Sequence, residues 1–367
     1  MKRKRLLSIL LALSLAFSLT ACGGNGESSA PAASDAPADQ EEAPAEGGEI
    51  LLGTISPNTG SLAAYGTAIV NGAALAVDEI NAAGGVNGQM LKLVSADDQG
   101  DPTECMNAFN SLVSQGVGLI VGSCTSSCTS AITDAANEEE VVLTTPSSTA
   151  DTYSKGLYDS FAAACEKYGV EVAATESTAS MDVQDYTNQF AAMVKAGVDL
   201  VYAPYYYDVI GPYVVTQARA AGYTGVIMGA DGYDGTPDYV VDGADLNAFN
   251  DVYWTNHYDP ADDSENVQHF VSAYEAKYGE TPIAMAALAY DCVLMYKTAI
   301  ENAGSADTSA VRDAMADTSV TYDCVTGTFT LDESGTPVKG ATIVSFASDG
   351  SAVTTTLVDV VKELPEA

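Results

Sequence analysis

Residues 50–97 read ILLGTISPNTGSLAAYGTAIVNGAALAVDEINAAGGVNGQMLKLVSAD. This is a β-rich run, ILLGTIS, then an Ala-rich amphipathic run over 66–83, then a second β-rich run, MLKLVSA. The alternation continues along the chain: a helical stretch at 102–115, GLIVG at 118–122, a helical stretch at 127–138, and VVLTT at 141–145. Beyond it come a helix at 151–168, VEVAATES at 170–177, a helix at 184–196, DLVYAP at 199–204, a helix at 209–221, and GVIMGAD at 225–231. Strands alternating with helices predict an α/β fold of parallel sheets flanked by helices. In such sheets ligands sit beyond the carboxyl ends of the strands, so function is sought in the loops after each strand.

The last third reads differently, with helices at about 264–278 and 282–303 followed by the strand-like runs CVTGTFTL, ATIVSFA and VTTTLVDVV. The segments DESG and SDG separate these runs as turns. Such late strands can return to either sheet, and several crossings between lobes suit a hinge. From residue 50 onward 318 residues remain, a length that favours two domains over one.

The 367 residues carry 50 Asp+Glu against 14 Lys+Arg, a formal net charge of −36. Four of the basic residues are Lys2, Arg3, Lys4 and Arg5, so the rest of the chain has no basic patch with which to release counterions from phosphates. The composition therefore excludes a nucleic-acid partner. An apolar content of 47% and 20 Tyr are too high for a disordered acidic tail.

MKRKR followed by LLSILLALSLAFSLT forms a charged and then an apolar region, shorter than the roughly 18 residues expected of a spanning helix. It ends in LTAC, which resembles a bacterial lipobox. Residues 1–22 are then a lipoprotein signal peptide cut before Cys22, and Cys22 is the lipid anchor; the alternative is an ordinary secretory signal with an incidental Cys. Residues 23–49, GGNGESSAPAASDAPADQEEAPAEGGE, lack the side chains to bury a core and read as a disordered acidic tether. Stretched at roughly 3.3 Å per residue it reaches about 90 Å.

Catalytic signatures are missing: there is no G-x-S-x-G elbow, P-loop, H-E-x-x-H or G-x-G-x-x-G after a strand. The two histidines, His257 and His269, read as surface or hinge residues without catalytic duty. Six cysteines remain besides Cys22: Cys105, Cys124, Cys128, Cys165, Cys292 and Cys324. Cys124 and Cys128 stand four apart where a loop enters a helix and Cys105 lies in the preceding helix, so these three are candidates for one bridge. No His or second C-x-x-C completes a metal-ligand set, which argues against a metal.

The loop GSCTSSCTS (122–130) opens a helix, which places Ser126 as an N-cap with free N–H groups beyond it, an anion-binding arrangement. A second polar loop, PSST at 146–149, follows the next strand, and the two together can ring a carboxylate with hydroxyl donors. In the later half PYYYD (204–208) and GADGYD (229–234) also follow strands, and Asp231 is either the partner of an ammonium group or a solvated loop acid.

The runs GTISPNTGSLAAYG, AALAVDEINAAGGVNGQMLKLVSADDQGDPTE, GVGLIVGSCTSS, TTPSSTA, QARAAGY, VYWTNHYDP, FVSAYEAKYGETP, AALAYD and VTGTFTLDESGTPVKG together resemble the leucine/isoleucine/valine-binding type of ABC-transporter substrate-binding lipoprotein. The resemblance covers most of residues 50–345. It implies a type I periplasmic-binding-protein fold, two α/β lobes joined by three crossovers and closing on an amino acid by a hinge. Lobe 1 is expected at 50–150 and 258–333, and lobe 2 at 151–257 and 334–367. By the same resemblance Ser126, Ser147 and Thr149 hold the ligand carboxylate. Tyr206 lies beside the ligand, Tyr65 lines the side-chain pocket, Asp231 takes the ammonium where the family often has Glu, and Met285 stands where Phe is common. No cofactor and no catalysis are implied. The implied partners are a free amino acid, branched-chain or apolar, an ABC permease and ATPase, and the lipid bilayer reached through Cys22 at the outer face of the bacterial cytoplasmic membrane. A sensing or structural surface lipoprotein of the same fold is the alternative, and a surface hydrolase a third class without motif support. Five Tyr between 202 and 213 favour an aromatic or polar guest, so the particular solute stays open.

One departure from the family pattern falls after TTPSSTA. There the family continues through a crossover, a helix and the first strand of lobe 2, whereas here Ala150 meets Asp151. A stretch of roughly 40 to 50 residues, more than one βαβ unit, is missing. Either lobe 2 lacks its first strand, or residues 50–231 form one continuous sheet, or the sequence as it stands has lost a segment. An incomplete sheet is expected to expose a hydrophobic edge.

Overall fold

The computed structural model describes residues 48–148, 153–180 and 183–362. The expected signal peptide, Cys22, all but the last two residues of the tether, and Thr149 lie outside the described residues. Among the described residues no helix is long and apolar enough to cross a membrane.

Two separate sheets carry the fold. The first is built from β1 (Ile50–Ser56), β2 (Leu91–Asp97), β3 (Leu119–Gly122) and β4 (Val142–Thr144) in the order β2-β1-β3-β4, all parallel. The second has the order β12-β11-β7-β6-β5. There β5 (Leu200–Tyr202), β6 (Val226–Gly229) and β7 (Val252–Asn256) run parallel, while β11 (Ala341–Ser348) and β12 (Val353–Val361) return antiparallel. A small antiparallel sheet of β8 (Thr321–Cys324), β9 (Gly327–Leu331) and β10 (Pro337–Val338) stands apart. The idea of one continuous sheet over 50–231 is therefore corrected: β4 and β5 belong to different sheets. The late strand runs likewise divide, with CVTGTFTL joining neither large sheet.

The two faces of the first sheet enter different cores, as period-two alternation requires. Leu119 and Val121 join Tyr65, Ile69 and Ala73 of α1 (Ala63–Ala82) and Val293 and Tyr296 of α9 (Ala284–Ala303). Ile120 and Ile55 face the other way, onto Phe109 of α2 (Pro102–Ser114) and Ile132 of α3 (Ser126–Glu138). With both faces covered, β1 and β3 are buried almost throughout, which is why their sequences are apolar runs. The start of α2 is fixed by Asp101, whose carboxylate accepts from Thr103 N at 2.7 Å and Glu104 N at 3.1 Å, with Pro102 at the first helical position. The helices α1 and α9 cross so closely that a Cβ on Gly72 would fall 2.1 Å from the Ala286 carbonyl oxygen.

In the second sheet Trp254, Phe249 and Phe346 pack with Tyr233. A helical run leads into this core: α6 (Tyr207–Val209), a π turn over 210–214, and α7 (Val215–Ala220). From α7 the Arg219 guanidinium donates to the carbonyls of Ala248, Tyr223, Gly225 and Asn250, tying the helix to two loops. Two more helices, α4 (Tyr153–Tyr168) and α5 (Thr187–Ala196), precede β5, while α8 (Glu265–Tyr278) and α10 (Thr308–Met315) flank α9 in sequence. The sequence reading passed over α10.

VEVAATES is not a strand. Residues 170–177 are irregular and largely exposed, with Val170 58% and Val172 44% accessible, and among the described residues none of them joins a sheet. A strand pattern becomes a strand when a neighbour satisfies its N–H and C=O groups, and among the described residues β5 has β6 as its single partner. Leu200 on that edge is 40% exposed and α4 buries only Cys165, so the second sheet does present apolar surface on this side.

Candidate functional site

Seven loops and helix starts gather at the carboxyl ends of the strands of both large sheets. After β1 comes α1 with Tyr65, after β3 the start of α3 with Ser126, and after β4 Ser147 and then Tyr153 at the head of α4. From the other sheet come Tyr206 after β5, Asp231 after β6 and His257 after β7. Met285 lies in the first turn of α9.

Asp231 is the centre. The Ser147 hydroxyl donates to its Oδ2, Tyr153 Oη donates to Oδ1 at 3.0 Å, and His257 Nε2 stands 3.4 Å from Oδ2. The residue is 8% exposed, yet among the described residues no Lys or Arg pairs with it. Burial alone would raise its carboxyl, but the hydrogen bond and charge of His257, followed by the Ser147 and Tyr153 hydroxyls, hold it below the usual carboxylate value. Asp231 is thus an ionised carboxylate held in a small, nearly dry enclosure.

Aromatic rings wall that enclosure. Tyr153 stacks on Tyr206 with centroids 4.5 Å apart, and Tyr65 meets Tyr206 edge-on at 6.3 Å and Tyr207 at 4.6 Å. Tyr65 Oη lies 2.9 Å from the Gly232 carbonyl, 3.2 Å from that of Asp234 and 3.3 Å from that of Asp231, so a side chain from the first sheet's side holds the turn that carries Asp231. Gly232 N–H donates to Tyr153 Oη at 2.9 Å, and a Cβ on Gly232 would lie 2.6 Å from that oxygen and 2.4 Å from the Tyr205 carbonyl. Glycine is what lets the Asp231 turn approach this closely. Burial raises the phenols of Tyr65, Tyr153 and Tyr206 well above their ordinary value, so they act as neutral donors.

Of the sequence-predicted residues, Tyr65, Ser147, Tyr206 and Asp231 are brought into one network. Ser126 is buried on the adjacent loop, but the helix cap is Thr125, with φ −94° and ψ 132°, and Ser126 is the first helical residue; the cap assignment moves by one position. Gly122, at φ +128°, permits this loop, since a Cβ there would sit 2.0 Å from the Ile55 carbonyl. Met285 is buried in the apolar cluster that contains Tyr65, and the neighbouring Ala284 N–H donates to Asp234 at 2.7 Å. Thr149 lies outside the described residues. Sequence reasoning missed Tyr153 and treated His257 as a surface or hinge residue; its side chain is 30% exposed and touches Asp231. His257 stands directly after β7 and Tyr153 heads the helix that follows β4, so the carboxyl-end rule applied to those strands points to both. His269 does sit at the surface, 3.1 Å from Glu79.

Loops from two α/β lobes that meet around one carboxylate define a two-lobed solute-binding fold. The chain belongs to the periplasmic binding protein family, whose sequence pattern matches residues 49–156 and 148–351. It is a family of extracytoplasmic solute-binding proteins, not of enzymes. Among curated relatives, the Leu/Ile/Val-binding protein homolog 3 of Brucella melitensis is 28% identical, over 78% of this chain and 88% of its own. The leucine-, isoleucine-, valine-, threonine- and alanine-binding protein of Pseudomonas aeruginosa is 28% identical over 78% and 86%. Among solved structures, the branched-chain amino acid transporter substrate-binding protein LivJ of Streptococcus pneumoniae, in complex with isoleucine, shares 29% identity and a TM-score of 0.73, covering 84% of this chain and 99% of its own. The leucine-binding protein LivK of Thermotoga maritima, at 24% identity and TM-score 0.75 over 85% and 99%, shares the fold. The Brucella alignment spans 331 positions, whereas 78% of 367 residues is about 286, so about 45 positions have no counterpart here. The two stretches matched by the family pattern meet at 148–156.

Proposed function

We propose that this chain is the solute receptor of an ABC importer, binding a free amino acid, branched-chain or otherwise apolar, between its lobes and delivering it to a permease and ATPase. The observation that carries this reading is Asp231: a nearly buried, ionised carboxylate whose sole ionic neighbour among the described residues is a histidine. Such a group is completed by an ammonium, and a charge-assisted hydrogen bond in a dry site is among the stronger polar contacts. In this reading Ser126, Ser147 and Thr149 take the ligand carboxylate, and Tyr65, Tyr206 and Met285 line the side-chain pocket; Tyr153 is added as a further wall and donor. Lobe 1 comprises 50–150 and 258–333, lobe 2 the segments 151–257 and 334–367. The packing of α9 against α1, with Tyr296 Oη donating to Ile120 and Val142 carbonyls at 2.8 Å, supports the first of these groupings. Cys22 carries the lipid that holds the receptor at the outer face of the cytoplasmic membrane. The names of the Brucella, Pseudomonas and Streptococcus relatives support the choice of ligand class.

The test is thermal unfolding of the protein with each common amino acid at millimolar concentration. A ligand at 100 times its dissociation constant adds about 2.7 kcal/mol, several degrees in a chain of this size. Leu, Ile or Val is expected to raise the midpoint. A cooperative transition indifferent to every amino acid would refute the assignment.

A further inference from the structure

Outside the candidate site, a second cluster of chemically capable side chains lies beneath the start of α3. Cys105, in the first turn of α2, and Cys128, in the first turn of α3, are both fully buried, and so is Asp98 from the loop after β2. Cys105 Sγ, Cys128 Sγ and an Asp98 oxygen all lie within 4.8 Å of one another. Cys105 Sγ also approaches the Cys128 carbonyl at 3.5 Å, and Asp98 accepts from Ser123 Oγ at 2.5 Å and from Gly100 N at 2.9 Å. Cys124, the third cysteine of this region, is buried but is not in the group. The remaining described cysteines, Cys165, Cys292 and Cys324, are buried on other elements.

We infer that Cys105 and Cys128 form a structural disulfide that ties the first turn of α3 to the first turn of α2. Three observations converge on this pair. The sulfurs are neighbours, they belong to adjacent helices 23 residues apart in sequence, and the family is extracytoplasmic, where disulfides persist. The two thiols are also unequal. The hydrogen bond between them draws the Cys128 thiol down, helped by Thr125 and Ser123 against burial, and pushes Cys105 up. The bridge forms before folding closes over the two sulfurs, with Cys128 attacking and Cys105 resolving. The Cys128 thiolate attacks one sulfur of a small oxidised disulfide such as oxidised glutathione and expels one glutathione thiolate, forming a mixed disulfide. The Cys105 sulfur then attacks Cys128 and expels the second glutathione. Two cysteine S–H bonds and the oxidant's S–S bond are lost, one cysteine S–S bond is formed, and the oxidant leaves as two glutathione thiols carrying both electrons and both protons. Asp98, facing both sulfurs, keeps a third polar group in the cluster, which makes zinc the competing occupant.

The experiment exports the full chain into an oxidising bacterial periplasm, purifies it without reductant, alkylates it in denaturant and maps the peptides by mass spectrometry. The expected result is one cross-linked peptide pair joining Cys105 to Cys128, with Cys124 alkylated. Reductant should lower the melting midpoint of this protein by about 5 °C, an effect absent from Cys105→Ala and Cys128→Ala and retained in Cys165→Ala. Recovery of both Cys105 and Cys128 as alkylated peptides from cooperatively melting protein would overturn the inference. So would a bridge to Cys124, or one zinc per chain lost on Cys105→Ala. None of these outcomes depends on which solute the cleft binds.

Discussion

Replacing Asp231 with Asn removes one negative charge from a position 8% exposed and leaves its shape almost unchanged. In the unliganded protein the effect is small. The Asn carbonyl still accepts from Tyr153 or Ser147, and the other hydroxyl rotates to accept from the new amide, so the loss of folding stability is expected to stay near 1 kcal/mol. Binding is another matter. An amino-acid ammonium brought against Asn keeps a neutral hydrogen bond but loses its counter-charge in a site from which water is largely excluded. Breaking one side of a buried ion pair costs about 3–5 kcal/mol, and at 1.4 kcal/mol per factor of ten the affinity should fall by roughly a hundredfold to a few thousandfold. Isothermal titration with the ligand that gives the largest thermal shift measures this directly. If Asp231→Asn binds within about threefold of the parent, the carboxylate does not hold the ammonium. The pH profile adds an independent check. His257, Ser147 and Tyr153 hold the folded carboxyl below its unfolded value near 3.9. Its contribution to stability and binding is therefore fully present above about pH 4 and is lost as pH falls through the lowered folded value. Affinity should stay flat from neutral to mildly acidic pH, so far as this group governs it.

Three further outcomes are expected. Tyr153→Phe removes the donor to Asp231 and the acceptor for Gly232 N–H, so melting should report about 1–3 kcal/mol of lost stability, and ligand affinity should fall with it. Gly72→Ala places a methyl 2.1 Å from the Ala286 carbonyl, which only separation of α1 from α9 relieves; a drop of about 1–3 kcal/mol measured by denaturant unfolding checks this. Leu200→Lys puts a charge on the open side of β5 and should reduce light scattering of concentrated protein while leaving ligand affinity in place.

Local pattern and global partner contributed unequally to what could be read beforehand. Helix α2 was legible to its first residue because Asp101 and Pro102 write the start signal into the chain. The buried strands β1 and β3 were legible because two covered faces demand continuous apolar side chains. VEVAATES carries the same kind of local signal and failed, because a strand is a relation between two segments and among the described residues no strand pairs with it. Asp231, Ser147, Tyr65 and Tyr206 could be nominated from their places after strands and from the family resemblance; that Ser147 and Tyr153 both donate to one carboxylate is a contact between residues 84 and 78 positions from Asp231, which spacing does not encode. His257 is partly exposed at the end of β7, as a surface or hinge histidine should be; what its sequence position did not encode is the contact with Asp231, which the fold delivers.

If the solute binds at Asp231 as proposed, the hydrogen bonds that Asp231 already makes give the cleft a selective character of its own. A solute entering there must displace or share the Ser147, Tyr153 and His257 contacts, so the affinity measured is the surplus of its own bonds over those it interrupts. A molecule bearing a cationic nitrogen restores what it breaks and adds a charge pair. A neutral molecule of equal size breaks the same contacts and restores less. The protein's own side chains thus act as a resident competitor, and discrimination against uncharged solutes is present before any pocket wall has sensed their shape.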